Sequence, residues 1–338
     1  MKLHRPLTLV IVIAVVLAAV AYFLVTSPYR GFAGEKFVKF ERGTSTRAIA
    51  HQLAEMGVIR SEWLFLALRA VRPRATLLAG EYQFVEEASA WRVFNRLAIG
   101  DIYYFDLTIP EGSNIWDIAR LLESQDIISE SDFLAAASDP TLIKDIAPEA
   151  ASLEGFLFPS TYRLSHSTTA QKLCKMMVNQ FRKQWKNLPG TADHSPNEVV
   201  TLASLVEKET GYPEERSLIA GVFAHRLRIG MALACDPTVI YAALLSGAYR
   251  GRIYVADLER QHPYNTYVRM GLPPGPIANP GIAAIKAALN PTKTDFLYFV
   301  AKAEGGGHTF SATNEAHAEA VRNYRNAIAA QALARKAH

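Results

Sequence analysis

Apolar residues fall along this chain in three rhythms. Over residues 7–25 they run unbroken except for Thr8 and Tyr22. This stretch of about 19 residues, at about 1.5 Å each, nearly spans a hydrocarbon core of roughly 30 Å. After a turn-rich stem at residues 28–34, apolar positions recur three and four apart, which predicts short amphipathic helices between brief strands. Residues 78–84 read as a strand closing the first such unit. Beyond about Leu153 longer helices take over. Ser195-Pro196-Asn197-Glu198 opens one with capping-box spacing and Pro at the first helical position; it runs to Thr210 and stops at Gly211. A second helix is expected over residues 214–229, ending at Gly230, and a third from Asp236-Pro237-Thr238. Prolines keep the loop at residues 271–281 irregular, residues 295–300 read as a buried strand, and a polar helix over residues 314–332 follows.

Two segments repeat. Glu41-Arg42-Gly43-Thr44-Ser45 through Ile49-Ala50 and Leu53 to Ile59 overlays Pro110-Glu111-Gly112-Ser113-Asn114 through Ile118-Ala119 and Leu122 to Ile128. Gly43 falls on Gly112, and the apolar positions coincide. Each copy reads as a strand, a Gly turn and a Ser/Thr-capped helix. Such units resemble LysM modules, which bind N-acetylglucosamine polymers; generic α+β packing is the open alternative.

Lys2, His4 and Arg5 precede the first apolar run, which favours a cytoplasmic N-terminus and an extracytoplasmic remainder. The alternative is a cleaved signal peptide, since Ala19-Val20-Ala21 resembles a cleavage site. The run continues through Phe23, Leu24 and Val25, so an uncleaved anchor is expected. Half of the 338 residues are hydrophobic and a fifth charged, an ordinary globular composition. The net charge of +4 suits an anionic polymer or a lipid surface. No Lys/Arg cluster interleaved with aromatics suggests nucleic acid. Cys174 and Cys235 give neither a disulfide framework nor metal-ligand spacing and read as two buried thiols.

Chemistry concentrates at the end of the helix from Pro196. Glu207 and Glu209 lie about 160–200° apart around its axis, so they do not face one another. Glu209 projects between Leu202 and Leu205 at the rim of the apolar arc. Apolar surroundings and a helix C-terminus both disfavour the ionised form, which is what a general acid near neutral pH needs; Lys208 falls on the solvated face. The competing reading makes both glutamates surface charges. Asp236 before Pro237 reads first as a helix cap, with a role at the site as the alternative. Tyr264, Asn265, Thr266 and Tyr267 offer amide, hydroxyl and aromatic groups of the kind sugar sites use, or a turn with buried tyrosines. Glu154 is a supporting residue of the site or a loop charge. His308, after three glycines, has no second ligand at metal spacing, so a structural role and no metal are expected.

The segment from Leu202 to Thr210, Leu-Ala-Ser-Leu-Val-Glu-Lys-Glu-Thr, is similar to the signature of the endolytic murein transglycosylase (MltG, YceG-like) family. Further segments agree in order: Leu153-Glu154-Gly155-Phe156 through Tyr162, Arg226-Leu227-Arg228, Asp236-Pro237-Thr238, Tyr264-Asn265-Thr266-Tyr267, Gly271-Leu272-Pro273-Pro274-Gly275 and His308-Thr309-Phe310. Two positions depart from the pattern: Ser160, where the family commonly has Asp, and Cys235, where a polar residue is usual.

The resemblance implies lytic cleavage of the MurNAc-GlcNAc bond of peptidoglycan, leaving 1,6-anhydroMurNAc ends, within nascent strands near the membrane and as a terminator of their elongation. Glu209 would be the catalytic residue. Tyr264, Asn265, Thr266, Tyr267, Asp236 and Glu154 would bind substrate, with no cofactor. Peptidoglycan glycan strands are the expected partner, peptidoglycan synthases are a family expectation, and the inner membrane is the expected location, with the catalytic domain periplasmic. The fold expected is α+β: a transmembrane anchor at residues 1–27, a LysM-like α/β region at 28–150, and a mainly helical catalytic domain with a small sheet at 151–338. A non-catalytic, membrane-anchored peptidoglycan-binding scaffold is the alternative from another class.

Overall fold

The computed structural model describes residues 4–336. Lys2 lies outside the described residues. Helix α1 (His4–Thr26) carries the apolar run; residues 8–26 have a mean hydropathy of 3.0 and none of that window is buried. Such length, apolarity and exposure are consistent with a single-pass membrane anchor.

The remainder is a helix-rich α+β structure with three two-stranded sheets. It divides into two compact units, residues 1–106 with 163–167, and residues 107–162 with 168–338. In the first unit, β1 (Lys36–Phe40) pairs antiparallel with β2 (Gly80–Phe84), Val38 opposite Tyr82. Between them run α2 (Thr46–Glu55) and α3 (Glu62–Val71), and α4 (Ala90–Ile99) follows β2. Val38, Phe40 and Phe84 from the strands meet Leu53, Phe65, Phe94 and Leu97 from the helices in one core. Alternation along β1 and three-to-four spacing along the helices place them there.

The repeat read from the sequence is present as topology. The second copy runs β3 (Phe105–Thr108), α5 (Ile115–Ser124), α6 (Glu130–Ala137) and β4 (Thr161–Leu164), and β3 pairs with β4. Both copies are therefore strand–helix–helix–strand. Gly43 and Gly112 turn with φ of 88° and 74°, which side chains rarely adopt. Ile49, Ala50 and Leu53 are buried, as are Ile118, Ala119 and Leu122. The caps differ. Ser45 accepts from Ala48 N in the first copy, whereas Asn114, and not a Ser or Thr, caps the second in a reciprocal box with Asp117.

The other unit is organised around α8 (Pro196–Glu209), with α7 (Ala170–Lys186) preceding it in the chain. Around α8 pack α9 (Arg216–Arg228), α10 (Asp236–Leu245) and α12 (Ile282–Leu289), and the short α11 (Val255–Leu258) follows α10. Residues 199–206 of α8 are all buried, so the helix has no solvated face until its last turn. The apolar-arc picture fails there because small and hydroxyl residues bury too: Ser204 Oγ donates to Thr201 O at 2.7 Å and accepts from Ile277 N at 3.1 Å.

The strand expected at residues 295–300 is instead β5 (Tyr298–Ala301), hairpinned with β6 (His308–Ser311), and Phe296 before it is 36% exposed. A two-stranded ribbon cannot be covered on both faces, which is why continuous apolar residues there do not make a buried strand. Helix α13 (Asn314–Lys336) packs on this hairpin.

Candidate active site

Glu209 is the last residue of α8; Thr210 leaves the helix in an extended conformation. Its carboxyl borders an open cleft of about 450 Å³ whose walls include Arg226, Asp236, Tyr267, Tyr298 and His317. Cys235 Sγ donates to Glu209 Oε1 at 3.0 Å. Burial pushes the Glu209 carboxyl above the ordinary carboxylate range. The thiol hydrogen bond opposes this, the Asp236 carboxylate adds to it, and His308 and Arg226 pull the other way without reversing it. Burial, with the Glu209 carboxyl beside it, also drives the Cys235 thiol well up, so it stays a donor.

Glu207 points elsewhere, as the helix geometry requires. It accepts from Gly281 N at 2.9 Å, the residue capping α12, and lies 3.6 Å from Arg216 Nη2; its side chain is 6% exposed. Its neighbour Lys208 donates to Gly112 O at 3.1 Å, seating the second Gly turn against the end of α8. Glu207 is therefore occupied in holding α12 and does not line the cleft.

Of the other residues singled out from the sequence, Asp236 and Tyr267 join Glu209 in the cleft. Asp236 is not the helix cap: Cys235 occupies that position without a side-chain cap, and Asp236, inside the first turn, accepts from Tyr267 Oη at 2.5 Å. Burial and that acceptor push the Tyr267 phenol up, so it remains a donor. Thr266 is buried behind the cleft, where its Oγ1 accepts from Cys235 N at 3.0 Å and lies 2.9 Å from Thr238 Oγ1. Asn265, also buried, donates to Leu258 O and Arg260 O at 3.0 and 2.8 Å, closing its own turn. Tyr264 packs on Tyr241 with ring centres 4.9 Å apart.

Glu154 lies at 2% exposure, away from the cleft lining. Its two oxygens accept from Ile115 N at 3.0 Å and Asn279 Nδ2 at 2.9 Å, and burial pushes its carboxyl to about 8. It is a buried junction between the start of α5 and the loop before α12.

Sequence reasoning gave no role to Arg226. Its Nε donates to Leu297 O at 2.6 Å, Nη1 to Leu233 O at 2.7 Å, and its guanidinium lies 5.3 Å from the Tyr298 ring centre. It ties the floor of the cleft to the hairpin. His308 has a definite partner: Glu215 accepts from His308 N and pairs with its Nδ1, both at 2.7 Å. Among the described residues no group of three His, Cys, Asp or Glu side chains is placed to hold a metal ion.

A half-buried carboxyl held above its usual range at the mouth of a polar cleft is the arrangement a general-acid site requires. Comparison with known proteins gives this arrangement a family. Residues 38–323 match the YceG-like family, and the chain belongs to it. An endolytic murein transglycosylase of Bacillus subtilis is 33% identical over 306 residues, covering 85% of this chain and 84% of that protein. One from Streptococcus pneumoniae is 30% identical over 323 residues, covering 86% of this chain but 58% of its own length. A crystal structure of a YceG-like protein from Listeria monocytogenes superposes with a TM-score of 0.55 at 30% identity, over 84% of this chain and 98% of that one.

Proposed function

We propose that this chain is a membrane-anchored lytic transglycosylase that cleaves the MurNAc-GlcNAc bond of nascent peptidoglycan strands and leaves 1,6-anhydroMurNAc ends. The observation that carries the reading is Glu209, a carboxyl kept towards its protonated form at the edge of a cleft open to a polymer. Protonated Glu209 gives its hydrogen to the glycosidic oxygen as the bond to C1 breaks. The C6 hydroxyl of the same MurNAc residue closes onto C1, and its proton returns to the Glu209 carboxylate. The sugar supplies its own nucleophile, so one carboxyl serves as acid and then base and no water is consumed. The Asp236 charge keeps the acid protonated, and the Cys235 thiol holds Oε1, leaving Oε2 for the proton. Tyr267, Tyr298 and Arg226 are placed to meet sugar hydroxyls and ring faces.

Membrane anchoring through α1, with the rest in the periplasm, fits action close to where strands are made, as a terminator of their elongation and beside the synthases. In the first unit, a groove of about 460 Å³ lined by Phe40, Gly43, Thr44, Leu77 and Leu78 supports a LysM-like, glycan-holding role for that strand–helix–helix–strand element.

A second reading, hydrolysis, is favoured by one observation: Asp236 places another carboxylate in the cleft, as two-carboxylate glycosidases require. The full chain incubated with wall sacculi in H₂¹⁸O separates the readings by mass spectrometry. Lytic cleavage yields anhydro ends free of ¹⁸O, and Glu209→Gln abolishes them. Hydrolysis yields ¹⁸O-labelled ends, and a scaffold that only binds co-sediments without releasing fragments.

A further inference from the structure

The first unit is not tethered to α1 by a free linker. Val25, in the last turn of α1, packs against that unit's core, and α1 contacts α3 and α4. Three residues past the helix end, Tyr29 exchanges both backbone hydrogen bonds with Ala88 at 3.1 Å. Gly31 N then donates to Gly57 O at 2.9 Å. The two chains approach so closely that a Cβ on Gly57 would stand 2.5 Å from Gly31 O. At about 3.3–3.6 Å per residue, Tyr29 lies within roughly 11 Å of the point where the apolar helix ends.

Two tryptophans are held at that level and left uncovered. Arg60 lies over the Tyr29 ring at 5.2 Å, and Trp63, one turn further into α3, is 66% exposed. Trp91 follows Ala88 by three residues and is 41% exposed; Arg72 lies over its ring at 5.3 Å and is fixed from behind by Asn95. Val71, beside Arg72, is 77% exposed. At the same end of α1, Tyr22 and Phe23 are also exposed. Arg30, Arg60, Arg69, Arg72, Arg74 and Arg92 surround this face, against Glu55, Glu62, Glu86 and Glu87. Tryptophan and tyrosine at the end of an apolar helix, backed by arginines, are the composition of a membrane–water interface.

We propose that the face formed by Trp63, Val71 and Trp91 rests in the headgroup layer of the bilayer that α1 enters, with the arginines on anionic lipid phosphates. This rests on the reading of α1 as a membrane span. The unit would then be docked as well as tethered, fixing its height above the membrane.

The test uses the full chain reconstituted into phosphatidylethanolamine–phosphatidylglycerol vesicles with bromines placed shallow in the acyl chains. The emission missing from a Trp63→Phe/Trp91→Phe variant is that of these two residues. The proposal expects most of that difference emission to be quenched by the shallow bromines. A chain that stays with the vesicles through an alkaline wash while the difference emission is unquenched overturns the docking and leaves the anchor standing. In that case the face is turned to water or to another protein. A chain released by the wash overturns both.

Discussion

Replacing Cys235 by alanine removes one heavy atom, the sulfur that donates to Glu209 Oε1 across 3.0 Å. That bond favours the ionised carboxylate, so its loss moves the Glu209 titration upward. A hydrogen bond to a charged acceptor is worth about 1.5–3 kcal/mol, and a thiol is a weak donor, so about 1 kcal/mol is a working figure. At about 1.4 kcal/mol per pH unit, this shifts the alkaline limb of the rate profile by roughly 0.7 pH unit. The sign follows from the mechanism: the first step needs the protonated acid, activity falls as pH rises through its titration, and the variant should hold its rate to higher pH. Cys235 N keeps its bond to Thr266 Oγ1, so the loop stays in place. The assay is the initial rate of anhydro-fragment release across the neutral and alkaline range. Cys235→Ser retains a donor and should leave the limb near its wild-type position. An alkaline limb in Cys235→Ala that is unmoved, or moved to lower pH, refutes the reasoning.

Two further predictions concern the frame around the site. The Glu154 carboxyl is raised to about 8 from 4.5, so the native state holds a proton that the unfolded chain has lost. Its stabilisation is full below 4.5 and fades as pH rises to about 8, and Glu154→Gln should remove that slope; a Tm difference between the two proteins that is constant across this window counts against it. In Gly221→Ala, helix propensity alone would gain about 1 kcal/mol. The added Cβ would, however, stand 2.1 Å from Thr292 O, a clash with backbone in the middle of α9. Overpacking of this kind costs about 1–3 kcal/mol, so the Tm should fall, and a rise would show that the loop gives way.

Much of this was legible in local sequence because its causes are local. Ser195, Pro196 and Gly211 bound α8 to within a residue or two, and the opposite directions of Glu207 and Glu209 follow from helix geometry alone. The repeat was visible because each copy must bury the same positions after the same turn. What the sequence hid depends on contacts between distant residues. Cys235 reaches Glu209 across 26 positions and Glu215 reaches His308 across 93. Glu154 meets Asn279 across 125, so nothing beside it marks it as buried. Asp236 misled because Asp before Pro is a common cap, and only the position of Tyr267 shows that its oxygen is used elsewhere. The triple glycine before His308 gave one usable signal: a Cβ on Gly307 would stand 2.1 Å from Glu215 Oε1.

The central claim is that Glu209 keeps its proton where an ordinary carboxyl would lose it. The most direct measurement is a ¹³C chemical-shift titration of the Glu209 side-chain carboxyl in the full chain, assigned by its absence from Glu209→Gln. The account predicts a midpoint above the model-compound value of 4.5. A midpoint at or below that value would leave the proposed chemistry without its proton donor.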